Sequence, residues 1–177
     1  EMRDLETISI AVTAAEMGIL VMGTLHTNGA APTVDRIVNA FPADKQGHVR
    51  TMLSTSLRGV ISQQLIQRAD KRGRVAALEI LINSPAVSNL IRQGKLDQLE
   101  NAMQGGRQAG MKTMDGSLRE LFDKGQITGR AAYEAALDKL KPEDQRAIVA
   151  RCEWGMSHDE VAQALDMPLL QWHIKST

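Results

Sequence analysis

The chain of 177 residues contains one cysteine, Cys152. A lone thiol excludes a disulfide framework and cysteine-based zinc spacing, and it fits a reducing compartment. Aromatic residues supply only 3% of the sequence, so Leu, Ile, Val, Ala and nine Met must fill the core. Such side chains suit helices and a helix-covered sheet better than a sandwich. Neither sign of charge is in excess, with 21 Lys and Arg against 21 Asp and Glu. No global field would draw the chain onto nucleic acid or an anionic membrane, which leaves only local patches for such contacts. No apolar run approaches the roughly 20 residues of a membrane-spanning helix, and the opening residues do not read as a signal peptide. Internal repeats and low-complexity segments are absent. So is G-x-x-x-x-G-K-S/T, the loop whose amides and lysine cradle a triphosphate. The segment "QGGRQAGMKT" gathers Gly106, Gly110, Lys112 and Thr113, but Met111 separates the last glycine from the lysine. It also follows a helical pattern rather than a buried strand, and it reads as structural. The sequence starts at Glu1 instead of Met, which suggests a fragment or a processed product.

What is present orders itself by periodicity. Leu5, Ile8, Val12 and Ala15 recur at helical spacing, with Asp4 placed to cap the helix and Gly18 to stop it. "ILVMGTL", Ile19 to Leu25, is a short unbroken apolar run, the mark of a strand buried on both faces. Helical spacing resumes through Val34, Ile37, Val38 and Phe41 and ends at Pro42. A longer amphipathic helix is expected through Val49, Met52, Leu53, Leu57, Val60 and Ile61. Asp70 to Arg74 is a charged turn, and "VAALEILI", Val75 to Ile82, alternates as a strand does. Helix–strand–helix–helix–strand order predicts a three-layer α/β sheet over residues 1–83.

From Ser84 onward the character is helical. Ser84 is a candidate N-cap with Pro85 at the first helical position. Leu96 to Met103 and Met114 to Lys124 continue as helices, and Thr128 can cap another, so residues 84–138 form an all-helical subdomain. Residues 139–177 form a tail. Within it, Gln145 to Cys152 and Asp159 to Leu165 are two helical patterns joined at Gly155, and Ser157 with Glu160 has capping-box spacing. This tail weakly resembles a helix-turn-helix of the sigma-factor type, with Gln171, His173 and Lys175 available to read bases. A helical hairpin that packs or docks fits the same residues.

The chemistry concentrates at the end of the first strand. A buried parallel strand ending in Thr24, His26 and Thr27 would place polar groups at the carboxyl edge of the sheet, where α/β proteins bind ligands. His26 can donate to an anionic oxygen and titrates near neutral pH, and the threonines offer hydroxyls. A histidine that merely caps a strand end satisfies the same pattern. At the start, Glu1, Arg3 and Asp4 precede the first helix, and Arg3 can hold a carboxylate.

Five segments together resemble the secretion and type IV pilus motor ATPases, and among them the twitching-motility retraction ATPases: "EMRDLETISIAVTAAEMG", "LVMGTLHTNGAAPTVDRIVNAFPAD", "VRTMLSTSLRGVISQQLI", "GRVAALEILINSPAVSNLIRQGK" and "GMKTMDGSLRELFDKGQIT". The likeness covers about Glu1 to Thr128 and assigns this chain to the carboxy-terminal half of such an enzyme. It implies a RecA-like ATPase core followed by the helical subdomain, in a subunit of a hexameric ring that couples ATP hydrolysis to pilus retraction. Glu1 then matches the glutamate that closes the Walker B motif and orients or deprotonates the attacking water. His26 falls in the histidine box beside the γ-phosphate, flanked by Thr24 and Thr27 as nucleotide-sensing residues. Asn89, Leu90, Ile91 and Arg92 match the retraction signature "AIRNLIRE". The resemblance further implies ATP and magnesium in the full-length parent, other copies of the chain and the pilus inner-membrane platform protein as partners, and a cytoplasmic place at the inner membrane. Nucleic acid is not expected as a partner, and no metal ligands are assigned to this chain.

The chain also departs from the family pattern. Ile19 stands where the histidine box has its first histidine, and Ser88 where the retraction signature has an arginine. The four cysteines usual in pilus-extension and type II secretion motors are missing, and "FPAD" follows the histidine box, as in the retraction branch. Without a phosphate loop the isolated chain is expected to bind nucleotide weakly and to be inactive, with a sheet edge left exposed. The alternative is a non-catalytic regulatory or interaction module that uses the helix-turn-helix-like tail to bind DNA.

Overall fold

The computed structural model describes residues 1–137. The chain divides into two compact units, Glu1–Ala132 and Tyr133–Thr177. The tail patterns, including Cys152, Gln171, His173 and Lys175, lie outside the described residues.

Helix starts follow their caps. The Asp4 carboxylate accepts from Thr7 N at 2.8 Å and opens α1, Leu5–Glu16, whose Ile8 and Val12 are buried. Gly18, at φ 87°, takes the left-handed conformation that releases the chain from that helix. α2, Ala30–Asn39, buries Ala30, Val34, Ile37 and Val38 along one stripe, and α3, Ala43–Ser56, buries Val49 and Leu53.

The long helix expected through Ile61 is corrected by the structure. α3 stops at Ser56, Leu57 turns to an extended ψ of 131°, and Gly59–Gln67 forms strand β1. Val60, Ser62 and Ile66 alternate inward there, a period that the helical reading absorbed because Val60 and Ile61 also fall on a helical stripe. β1 pairs antiparallel with β2, Arg74–Ile82, in the register Val60↔Leu81, Ser62↔Glu79 and Ile66↔Val75. The charged turn between them is held by Asp70, which accepts from Arg72 N at 2.9 Å and from the Arg68 guanidinium. Gly59 sits so close to β2 that a Cβ there would stand 2.9 Å from the Leu81 carbonyl oxygen.

The strand expected at Ile19 to Leu25 is also corrected. The run carries no ladder: among the described residues its backbone bonds join Ile19 N to Ala14 O at 3.1 Å and Met2 N to Thr24 O at 2.9 Å. Apolar composition alone does not make a strand, because a ladder partner must lie alongside. Leu20 and Met22 are accordingly 77% and 90% exposed. The sheet among the described residues is a two-stranded antiparallel pair.

The second half is helical. Ser84 caps α4, Pro85–Gln93, by accepting from Val87 N at 3.3 Å, and Gly94 closes it at φ 70°. α5, Leu99–Gly105, α6, Met114–Asp123, and α7, Gly129–Leu137, follow, the last opened by Thr128 accepting from Ala131 N. Asn83 Nδ2 donates to the carbonyls of Ser54 and Leu57, and Ser88 Oγ donates to Ser54 O at 2.6 Å, so both satisfy the end of α3. Ile8, Val34, Leu81, Val87, Ile91 and Leu99 form the buried centre that α1, α2, β2, α4 and α5 share. None of the described helices is long and apolar enough to cross a membrane.

Gly59→Ala should push the β1–β2 register apart and cost about 1–3 kcal/mol. A lower urea midpoint would register this, whereas an unchanged midpoint would show that Leu81 yields freely.

Candidate functional site

The loop that carries His26 is held from below by two facing strands. Ser62 and Glu79 are register partners on the inward face of the sheet. Ser62 Oγ accepts from Gly29 N at 3.0 Å, and Glu79 Oε1 accepts from Ala30 N at 2.8 Å. Gly29 is the N-cap of α2 and offers no side chain of its own, so these strand side chains take the place of a cap. Its φ of 116° and the 3.2 Å from a built Cβ to Glu79 Oε1 both require glycine. The other carboxylate oxygen, Glu79 Oε2, accepts from Met114 N at 3.3 Å at the start of α6. A carboxylate 6% exposed thus meets the positive ends of two helices, which is a favourable place for a buried negative charge.

Above this cradle the threonines form a relay. Thr33 Oγ1 donates its single hydrogen to Gly29 O at 2.7 Å, so in the 2.7 Å contact between Thr27 and Thr33 the Thr27 hydroxyl is the donor. Thr27 is therefore a strut that fixes the loop, with its oxygen left to accept. Thr24 is anchored through its carbonyl to Met2 N. A Cβ on Gly23 would stand 2.7 Å from Met2 Cε, so the methionine lies flat against bare backbone.

This arrangement brings the first residue to the loop. Glu1 Oε1 lies 2.5 Å from His26 Nε2, and Arg3 Nε donates to the same oxygen. The Arg3 hydrogen bond first, and the His26 contact after it, hold the Glu1 carboxyl below its usual range. Glu1 is thus kept ionised and aimed by two donors, while the His26 side chain remains 77% exposed. Thr24 and Thr27 line a cleft of about 690 Å³ bounded by α1, residues 18–25 and the α3–β1 junction. Glu1 and His26 are not among its lining residues. The structure therefore joins Glu1 with His26, and Thr24 with Thr27 along the neighbouring cleft.

The sequence and the fold match known proteins. The profile of the family described as "Type II/IV secretion system protein" matches residues 1–134. The chain belongs to that family. A twitching motility protein of Neisseria gonorrhoeae is 57% identical over 136 residues, covering 77% of this chain and 36% of that protein. The type IV pilus retractation ATPase PilT of Pseudomonas aeruginosa is 54% identical over 136 residues, covering 77% of this chain and 39% of its own length. The chain therefore spans less than two fifths of these curated relatives. A crystal structure of the pilus retraction motor PilT with bound ADP superposes with a TM-score of 0.70 at 46% identity, over 81% of this chain and 39% of that one. The Legionella pneumophila ATPase DotB gives 0.66 at 30% identity, over 78% and 37%. These neighbours support a mixed α/β fold shared with the matching part of those proteins.

The segment expected from sequence to match the retraction signature, Asn89 to Arg92, lies elsewhere, on α4. Ile91 is fully buried and Leu90 packs against the core. Arg92 Nη2 donates to Asn89 Oδ1 at 3.0 Å, and Gln93 Nε2 donates to the same oxygen. Only Asn89 and Arg92 of the four face solvent, and they are joined to each other. Glu79, Ser62, Gly29 and Thr33 escaped sequence reasoning as parts of the site. A signal for Glu79 existed, because alternation in "VAALEILI" puts it in line with the buried Ala77 and Leu81.

Magnesium is implied by the resemblance. Among the described residues no group of three or more His, Cys, Asp or Glu side chains is assembled to hold a metal ion. These residues do not make a magnesium site by themselves.

Ile91→Ala should lower stability by about 2–5 kcal/mol, read as a loss of urea midpoint, while Arg92→Ala should leave the midpoint in place. Asp4, whose carboxyl is lowered chiefly by the Thr7 backbone N–H, stabilises α1 above the ordinary aspartate range and loses this as pH falls through its lowered value. The midpoint gap between wild type and Asp4→Ala should therefore be constant near neutrality and close in acid. A gap unchanged in acid would contradict the capping role.

Proposed function

We propose that this chain is the carboxy-terminal part of a motor ATPase subunit whose parent hydrolyses ATP to drive type IV pilus retraction, and hence twitching motility. The observation that carries this is the meeting of Glu1 and His26, which are 25 residues apart in sequence, at 2.5 Å. Beside them, Thr24 and Thr27 face a cleft. In this reading Glu1 orients the attacking water and takes its proton as the water oxygen bonds to the γ-phosphorus and the bond to the ADP oxygen breaks. Arg3 and His26 fix the carboxylate, and positioning of this kind carries most of the catalysis in phosphoryl transfer. His26 links the state of the nucleotide to its loop through Glu1 on one side and Thr27 on the other.

The exposed apolar run beside the cleft supports a place in a larger RecA-like three-layer core. There the run would be a strand, and the rest of the parent would bring the phosphate loop, its lysine and the magnesium ligands. The relatives' lengths agree with such a parent. Its partners are other copies in a hexameric ring and the platform protein of the pilus machine, at the cytoplasmic face of the inner membrane. The isolated chain would not turn over ATP.

In the full-length parent, Glu1→Gln should lower kcat by about 10²–10⁴-fold, with KM for ATP nearly unchanged. His26→Ala should impair both ATP turnover and retraction. Wild-type kcat in Glu1→Gln would overturn the role given to Glu1, and a wild-type parent that does not hydrolyse ATP would favour a non-catalytic interaction module.

A further inference from the structure

We infer that Glu79 and Ser62 are positioning residues for the Glu1–His26 pair, setting the height and direction of the loop through the first two amides of α2. This rests on the ATPase reading for its catalytic meaning, but the geometry is independent of it. Two bonds run side by side from the sheet, and two more carry on from Gly29 to the imidazole's own loop. Glu79 Oε1 holds Ala30 N, and Ser62 Oγ holds Gly29 N. Gly29 O receives the Thr33 hydroxyl, and Thr33 receives the Thr27 hydroxyl next to His26.

Two adjacent amides at this helix start each have their own acceptor, and two strands supply one each, from directly opposed register positions. Both are buried, so neither amide can exchange its partner for water. Two amides fixed in adjacent residues define a direction as well as a point. The polypeptide that leaves Gly29 towards Thr27 and His26 therefore has little freedom to rotate. The second carboxylate oxygen on Met114 N locks the Glu79 side chain itself, so the cradle does not depend on a mobile rotamer.

Glutamine at 79 has one acceptor oxygen for two amides and turns an NH₂ group towards the other, so it must release one helix. Alanine at 62 frees Gly29 N and leaves the rest of the cradle in place. Ser84 caps α4 by accepting from Val87 N, at a helix start that the cradle does not hold, so it serves as the control.

The test uses Glu79→Gln, Ser62→Ala, Ser62→Thr and Ser84→Ala in the full-length parent. Three quantities are measured: the ¹H–¹⁵N imidazole resonances of His26, kcat and KM for ATP, and the thermal midpoint. Glu79→Gln and Ser62→Ala should shift the His26 resonances and lower kcat by about tenfold to a hundredfold, with KM within about twofold. Ser62→Thr keeps the hydroxyl and should restore both. Ser84→Ala should lower the midpoint while leaving kcat and the resonances at wild-type values. The inference is overturned if His26 resonances stay fixed in Ser62→Ala, or if Ser84→Ala loses kcat as much as the cradle variants do. Should the wild-type parent fail to hydrolyse ATP, the motor reading falls alone, and the His26 resonances still decide the positioning role.

Discussion

A single buried carboxylate governs how the parts of this fold meet. Glu79 lies in the middle of β2, on the face that otherwise carries Ala77 and Leu81 into the core. A negative charge there would be costly if unpaired, since desolvation penalises it by several kcal/mol. Its two oxygens instead receive the first amides of α2 and α6, where helix dipoles concentrate positive charge. The strand hairpin, the loop with His26 and the second helical half are thereby tied to one atom group. Apolar packing alone would bring these elements together without fixing their register, because burial has no direction.

How legible this was in the sequence depends on whether the signal was local. Helix starts at Asp4, Ser84 and Thr128 were legible because the capping side chain and the helix are neighbours in sequence. β2 was legible from its alternation. β1 was not, because Val60 and Ile61 continue the helical stripe of α3, and only the approach of Gly59 to the Leu81 carbonyl distinguishes them. The apolar run from Ile19 to Leu25 failed for a different reason. Its composition suits a strand, but a ladder is a property of two segments, and no described segment lies alongside to supply it.

The site divides along the same line. Glu1 and His26 drew attention as residue types in a pattern, and the structure brings their side chains into contact. The cradle beneath them was silent, because Ser62 and Glu79 touch the loop from 33 and 49 residues away. Ser88 shows how a departure from a pattern can be taken up locally. Its short hydroxyl reaches the Ser54 carbonyl and shares the end of α3 with Asn83.

The packing of Met2 upon Gly23 has a chemical consequence of its own. The thioether rests on naked main chain with no room for an added atom, and the adjoining amide of Met2 holds Thr24. Oxidation to the sulfoxide would insert a polar oxygen into that contact and prise the opening residues away from the loop. Peroxide could thus uncouple the carboxylate from the imidazole without modifying either, and methionine sulfoxide reductase would restore the pair.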